Sequence, residues 1–283
     1  MEQGAALTQQ PTGPVSKLLS VLELERLDRD LFRAWNPPQP GGRQHALFGG
    51  QVAAHALRAA TLTIDADHHP HSLHGYFLRP GKDDAPTILR VDRIRDGRSF
   101  TTRTVVALQD GEAIFSLTAS FHKDESGGEF RTPIDATIPT PDVLLARGVE
   151  SPDWWGADSP FERVEIPVEF LAGRPRRAMW IRTRGALPDD RGLHACVLTY
   201  ISDMGVVGAI RAALGRLDHH GMGASLDHSM WFHRQVRADE WLLFDVESRS
   251  NAGSRGLGTG SLHTVDGVHA VSIAQEALVR LPE

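Results

Sequence analysis

The chain has 283 residues, 41% of them hydrophobic, and a net charge of −6. That length suits two ordinary domains with a sizeable core, and the acidic balance gives no electrostatic case for nucleic acid or an anionic membrane surface. The single cysteine, Cys196, excludes an internal disulfide and fits a reducing compartment.

Residues 1–17 are polar and carry Pro11 and Pro14. They read as disordered, and without an apolar run they do not read as a signal peptide. No uninterrupted apolar run is long enough to span a bilayer, and the C-terminal residues are not a Ser-Lys-Leu address, so a cytoplasmic protein is expected. Apolar residues at helical spacing predict a short helix over 18–27, followed by a strand over 30–35. Residues 36–42 are rich in Pro and Gly and predict a loop. Phe48-Gly49-Gly50-Gln51 then opens a helix of small residues running to Ala60. A Gly pair at a helix start can present free N–H groups to an anion or a carbonyl, although such a pair also simply makes a turn.

Four strands follow, over 73–79, 87–95, 99–108 and 112–122. Asp96-Gly97 and Asp110-Gly111 between alternating runs are hairpin signals. Residues 124–160 are rich in Pro, Gly and Asp and predict a linker, with Asp153-Trp154-Trp155 packing back on a surface. Beyond it the pattern predicts strands over 163–170 and 179–184, one helix over 193–214, a loop over 215–223, and strands over 226–233, 241–248, 254–263 and 268–281. Ile201 to Ile210 is the stretch on which the reading turns. It sets one carboxylate, Asp203, at a helix start among Gly205, Gly208 and Ala209, where it would meet the positive end of the helix dipole. Simple capping by Ser202 or Asp203 is the competing reading.

The two halves match each other. Asp110-Gly111 pairs with Asp266-Gly267, Gly97 with Gly253, Phe77-Leu78-Arg79 with Phe232-His233-Arg234, and Gln51 with Asp203. Matches in order on elements of one type argue for a duplicated unit, a helix wrapped by a curved antiparallel sheet, which is the hot-dog arrangement. Domains are therefore expected at 18–123 and 161–283, joined by the 124–160 linker. The halves differ in one telling place: Gln275 stands on an apolar strand face where the first half has Ala119. An unpaired buried amide costs about 1–3 kcal/mol, so Gln275 must have partners.

Together, Phe48-Gly49-Gly50-Gln51, Tyr76-Phe77-Leu78-Arg79-Pro80-Gly81, the run from Ser225 to Arg234, Asp266-Gly267-Val268 and Ala274-Gln275-Glu276 resemble the acyl-CoA thioesterase II family, the TesB-like double hot-dog enzymes. The resemblance implies an α+β double hot-dog that hydrolyses fatty acyl-CoA to free acid and coenzyme A. It places the family's catalytic Asp, Ser/Thr and Gln on Asp203, Ser225 and Gln275. It implies an acyl-CoA substrate, no cofactor, no metal and assembly with further copies of the chain. Water activation fits better than an acyl-enzyme, since no strong nucleophile has a neighbouring His. Asp203 would be the base, Ser225 and Gln275 would hold the water, and N–H groups around Gly50 and Gln51 would meet the oxyanion. His71 matches Ser225 in the repeat, so it is a candidate for the same site.

Asp227 is a rival carboxylate. The His-rich stretches 68–74 and 219–220 look metal-like but lack metal-ligand spacing. Arg79, Arg174, Arg176 and Arg177 are candidates for CoA phosphates. Two other functions stay open: a hot-dog enoyl-CoA hydratase using Asp189 and His194, and a non-enzymatic acyl-CoA binder.

Overall fold

Pro14 opens the first helix, α1 (Pro14–Leu22), because its fixed φ suits a first helical turn and its missing N–H has no partner there. Its buried face is Val15, Leu18, Val21 and Leu22. The computed structural model describes residues 13–36, 46–149, 159–171, 173, 175–215 and 222–280. Most of the terminus expected to be disordered thus lies outside the described residues, but residues 14–17 are helical, which corrects that expectation. The helix also ends earlier than the predicted 18–27. Leu24 and Leu27 do not continue the buried stripe, and Glu25–Asp28 (β1) pairs with Leu31–Ala34 (β2) instead. The predicted loop over 36–42 lies almost wholly outside the described residues.

The first half continues with α2 (Gly49–Thr61), β3 (His68–Phe77), β4 (Thr87–Asp96), β5 (Phe100–Gln109) and β6 (Glu112–Lys123). Asp110 and Gly111 both adopt positive φ (51° and 81°), the turn that a right-twisted two-residue hairpin requires. Between the halves, α3 (Pro141–Ala146) and Ile138 pack on the outer side of the second half, and Trp180 Nε1 donates to Pro139 O at 2.8 Å. The linker therefore does pack back; the Trp154-Trp155 pair expected to do so lies outside the described residues.

The second half contains β7 (Phe161–Glu165), β8 (Arg176–Thr183), α4 (Arg191–Ser202), α5 (Val206–Ala213), β9 (Met222–Ser225), β10 (Asp227–Phe232), β11 (Leu242–Ala252), β12 (Arg255–Thr264) and β13 (His269–Arg280). The strand predicted to reach 170 stops at 165; Pro167, which has no ladder donor, leads into a 3₁₀ turn over Val168–Phe170. The single predicted helix over 193–214 is two helices, broken at 203–205, where Gly205 and the β-branched pair behind it weaken helix propensity. By length and composition Arg191–Ala213 would suffice to cross a membrane, against the sequence expectation, but most of it is buried inside the fold.

All strands join one antiparallel sheet in the order β1-β2-β4-β5-β6-β3-β10-β13-β12-β11-β8-β7, with β9 alongside β13. The halves meet at β3 and β10, where His74 lies opposite Ser229. These two residues are 155 apart (229 − 74), and the same offset carries β3 onto β10, so the junction is itself a pseudo-two-fold axis. The sheet curls around the helices: α2 packs on β3 to β6, α5 packs on β8 and β11 to β13, and α4 lies against α2. α5 sits very close to β12, because a Cβ on Gly258 would fall 2.6 Å from Val206 Cγ1. One large apolar cluster runs through both halves.

His55, wholly buried on α2, ties α1 to this core by donating from Nε2 to Val21 O at 2.7 Å, while Nδ1 has no partner among the described residues. Burial pushes its pKa from 6.5 down to about 4, so the folded chain holds it neutral where the unfolded chain would protonate it. Its contribution is complete above pH 6.5 and is lost as pH falls towards 4. That contribution is about 3 kcal/mol by linkage. His55→Gln keeps the bond to Val21 O without a titrating ring. Thermal melts between pH 7 and pH 4 should show the wild type losing stability more steeply than this variant; parallel slopes would remove His55 from the account.

Candidate active site

Asp203 lies in the break between α4 and α5, half-buried, with its backbone as the C-cap of α4. Its side chain caps neither helix. Instead, Oδ1 accepts hydrogen bonds from Ser225 Oγ at 2.9 Å and from Gln275 Nε2 at 2.8 Å. Gln275 Nε2 also donates to Ser225 Oγ at 2.6 Å. One N–H of the amide and the hydroxyl therefore converge on one carboxylate oxygen, while the other N–H of the amide goes to the hydroxyl oxygen.

Each partner arrives by a different route. Gln275 comes from the inner face of β13 and is only 1% exposed. Ser225 ends β9 opposite Ala277, two residues along that same face. The helix break brings Asp203 down to them. The buried amide that sequence reasoning required to have partners thus has three: Asp203, Ser225 and, at Oε1, His228 Nδ1 at 2.7 Å.

The other carboxylate oxygen faces the first half. A Cβ on Gly49 would lie 2.7 Å from Asp203 Oδ2 and 3.0 Å from Phe77 Cε1. Gly49 is the first residue of α2, so its amide and that of Gly50 fall in the first turn, where N–H groups have no intrahelical acceptor. The positive end of α2 is thus a dipole that Asp203 meets, from the other half of the chain.

Of the residues first assigned to this corner, Gly50 keeps only its first-turn amide there, and Gln51 and His71 are placed elsewhere. Gly50 is the point where α2 crosses α4, its Cβ position only 2.5 Å from Tyr200 O. Gln51 spends its backbone N–H on Phe48 O at 3.1 Å, and its side chain donates to Asn36 Oδ1 at 3.0 Å, away from Asp203. His71 is also outside the site: Nε2 pairs with Ser120 Oγ at 2.8 Å and the ring packs on Phe100 and His122. The repeat does align it with the break after Ser225. β3 loses register between Pro70 and Ser72, as β9 and β10 separate at Leu226, 155 residues on (226 − 71). That irregularity sends the two side chains to different surroundings.

Asp227 is structural: Oδ1 accepts the Glu276 N–H at 2.6 Å and clamps β10 to β13. Asp189 and His194 form no pair. Asp189 is exposed beside Arg237, and buried His194 accepts the Ala238 N–H on Nδ1 at 3.1 Å. Arg79, Arg176 and Arg177 pair with Glu112, with Asp135 and Asp245, and with Glu165; Arg174 and the 219–220 His pair lie outside the described residues. Among the described residues the one group close enough for a metal is Asp65, Asp67 and His68, apart from this site and with Asp67 already held by Lys123 at 2.6 Å.

The sequence reading passed over His228. It is wholly buried on β10, between Gln275 and Ser202, whose Oγ lies 2.7 Å from Nε2. Ser202 is not an accessible nucleophile, being fully buried and bonded back to Thr199 O at 2.8 Å. The repeat carries the signal that would have found His228. β3 sets Leu73 opposite Ala119, and the same places in the second half hold His228 and Gln275. A Leu–Ala pair in one copy has become a His–Gln pair in the other.

The chain is similar to two family models, one described as acyl-CoA thioesterase over residues 159–278 and one as acyl-CoA thioesterase N-terminal domain over residues 37–122. Acyl-coenzyme A thioesterase 8 of Homo sapiens is 37% identical, over 99% of this chain and 94% of that protein. Acyl-CoA thioesterase 2 of Haemophilus influenzae is 33% identical, over 95% of this chain and 99% of that protein. Among solved structures, the acyl-CoA thioesterase II TesB2 of Mycobacterium marinum is 39% identical, covers 93% of this chain and 98% of its own, and superposes with a TM-score of 0.80.

Proposed function

The chain belongs to the TesB-like acyl-CoA thioesterase II family, and on that premise we infer that Asp203, Ser225 and Gln275 hydrolyse fatty acyl-CoA to a free acid and coenzyme A. The observation that carries this reading is the convergence of a hydroxyl and an amide on Asp203 Oδ1, with Oδ2 turned to the start of α2. Ser225 and Gln275 hold a water against the carboxylate, a positioning effect. Asp203 takes a proton from that water as its oxygen attacks the thioester carbon. The carbonyl oxygen becomes an oxyanion facing the free first-turn amides of Gly49 and Gly50. When the C–S bond breaks, the proton on Asp203 passes to the departing thiolate, so one water is consumed and acid and thiol are released.

Two features favour direct water attack over an acyl-enzyme. Among the described residues Ser225 is bonded to a carboxylate and an amide and to no His. The imidazole that is close, His228, bonds Gln275 and Ser202 instead. The reading extends to assembly with further copies of the chain and to a cytoplasmic setting, the latter supported by the lone buried cysteine.

A free-thiol assay over a series of acyl-CoA chain lengths tests the reading directly. Cys196 will not disturb it, because burial pushes its thiol up to about 12 and closes it to reagent. The purified protein should release CoA. No release at any chain length, or hydration of crotonyl-CoA without release, would overturn the assignment; tight binding without turnover would favour the binder.

A further inference from the structure

We propose that His228 is a positioning residue that, together with the Asp203 carboxylate, fixes which way round the Gln275 amide lies, and so keeps Gln275 a hydrogen-bond donor into the site. The inference rests on the thioesterase reading above for its kinetic consequence, but its structural content stands on hydrogen bonding alone.

Gln275 has one oxygen and one nitrogen at the end of its side chain. On the site side it meets Asp203 Oδ1 at 2.8 Å and Ser225 Oγ at 2.6 Å. A carboxylate oxygen can only accept, so the group facing it has to be the amide NH₂. Oε1 then points the other way, at His228 Nδ1, 2.7 Å off. That contact is a hydrogen bond only when Nδ1 carries the proton.

The far side of the ring suits this tautomer and would suit the Nε2–H one as well, so the site side, through Asp203, selects between them. Nε2 lies 2.7 Å from Ser202 Oγ, and Ser202 Oγ lies 2.8 Å from Thr199 O. A neutral ring accepts the Ser202 hydroxyl on Nε2; a charged ring donates to it, and the hydroxyl turns to Thr199 O. Nδ1–H faces Gln275 in both cases. Burial lowers the His228 pKa, against the pull of Asp203 and Asp227, which favours the neutral form. If the amide were flipped, Oε1 would face the Asp203 carboxylate and NH₂ would face the Nδ1–H, with acceptor against acceptor and donor against donor. With its proton on Nδ1, His228 thus adds to the Asp203 carboxylate in disfavouring the orientation in which Gln275 cannot hold water or a developing oxyanion.

The first half shows what this position does without that task. Leu73 occupies it, fully buried opposite Ala119. His228→Leu is therefore a shape that the same architecture already accommodates, and His228→Leu with Gln275→Ala rebuilds the first-half pair.

Purified full-length variants test the proposal. His228→Leu should lower kcat about 10²-fold, the scale of a misplaced reacting group, with KM changed less than about twofold. His228→Asn, which keeps a donor near Nδ1, should recover much of that loss. In the Gln275→Ala background, His228→Leu should cost no further kcat, because the amide it orients is gone. Nitrogen-15 spectra of the wild-type imidazole should show the proton on Nδ1, with the resonance assigned by its absence in His228→Leu. Wild-type kcat in His228→Leu, equal losses in both backgrounds, or a proton on Nε2 alone would each overturn the proposal. If His228→Leu does not fold, the double variant and the spectrum still decide it. A wild type that releases no CoA would instead sink the thioesterase reading, leaving the tautomer test intact.

Discussion

Asp203→Asn should fold like the wild type and lose turnover by about 10²–10⁴-fold, the usual range for a general base. The substitution is nearly isosteric. Asparagine can keep its oxygen towards Ser225 and Gln275, preserving both hydrogen bonds that Oδ1 accepts, and turn its NH₂ towards Gly49. What it cannot do is accept a proton from water. A melting temperature within a few degrees of the wild type, together with collapsed kcat, separates chemistry from stability. Near-wild-type turnover would remove Asp203 as the base. Asp227 would not readily replace it, since its carboxylate is already committed to the Glu276 amide.

Gly49→Ala should lower kcat by about 10²-fold while leaving stability nearly unchanged, the scale expected when reacting groups are displaced by about 1 Å. Gly49 is not among the positive-φ glycines and starts a helix, so alanine fits the backbone there without strain. The new methyl group would land 2.7 Å from Asp203 Oδ2 and 3.0 Å from Phe77 Cε1. A carboxylate on a side chain can swing; to do so, Asp203 has to give up Ser225 or Gln275. Gly50→Ala is the contrasting control. Its Cβ would meet the Tyr200 backbone oxygen at 2.5 Å, and a helix backbone cannot swing, so α2 and α4 would be forced apart at a stability cost of about 1–3 kcal/mol. Full activity in Gly49→Ala would show that the α2 N-terminus does not meet the substrate.

The two glycines also show where sequence reasoning loses resolution. The Gly pair before α2 was legible as a set of free N–H groups, and the expectation named Gly50 and Gln51. Successive helical residues point about 100° apart, so a shift of one residue changes the neighbour completely. Gly49 meets the carboxylate, Gly50 meets α4, and Gln51 turns to Asn36. His71 failed for a related reason. Its place in the repeat was off by one, at Leu226 instead of Ser225, and the irregularity of β3 at that residue directs the ring to Phe100 and His122. His228 stood inside a segment already singled out, and what hid it was that its partners, Ser202 and Gln275, are 26 and 47 residues away.

The sequence by itself determined the strand meanders, the small-residue helices and the duplication, and the family resemblance carried by its motifs pointed to the three residues of the candidate site. Alternation, turn residues and motif spacing are local, and burial of an amide among apolar neighbours demands partners wherever it occurs. Only the tertiary structure decided which groups meet. Asp203 reaches Ser225 and Gln275 across 22 and 72 residues because the helix breaks at 203–205. The same meeting needs α5 to lie close on Gly258, and β9 and β13 to be in the register that sets Ser225 two residues from Gln275. Break, approach and register are each fixed by packing between distant segments, and no local pattern encodes them.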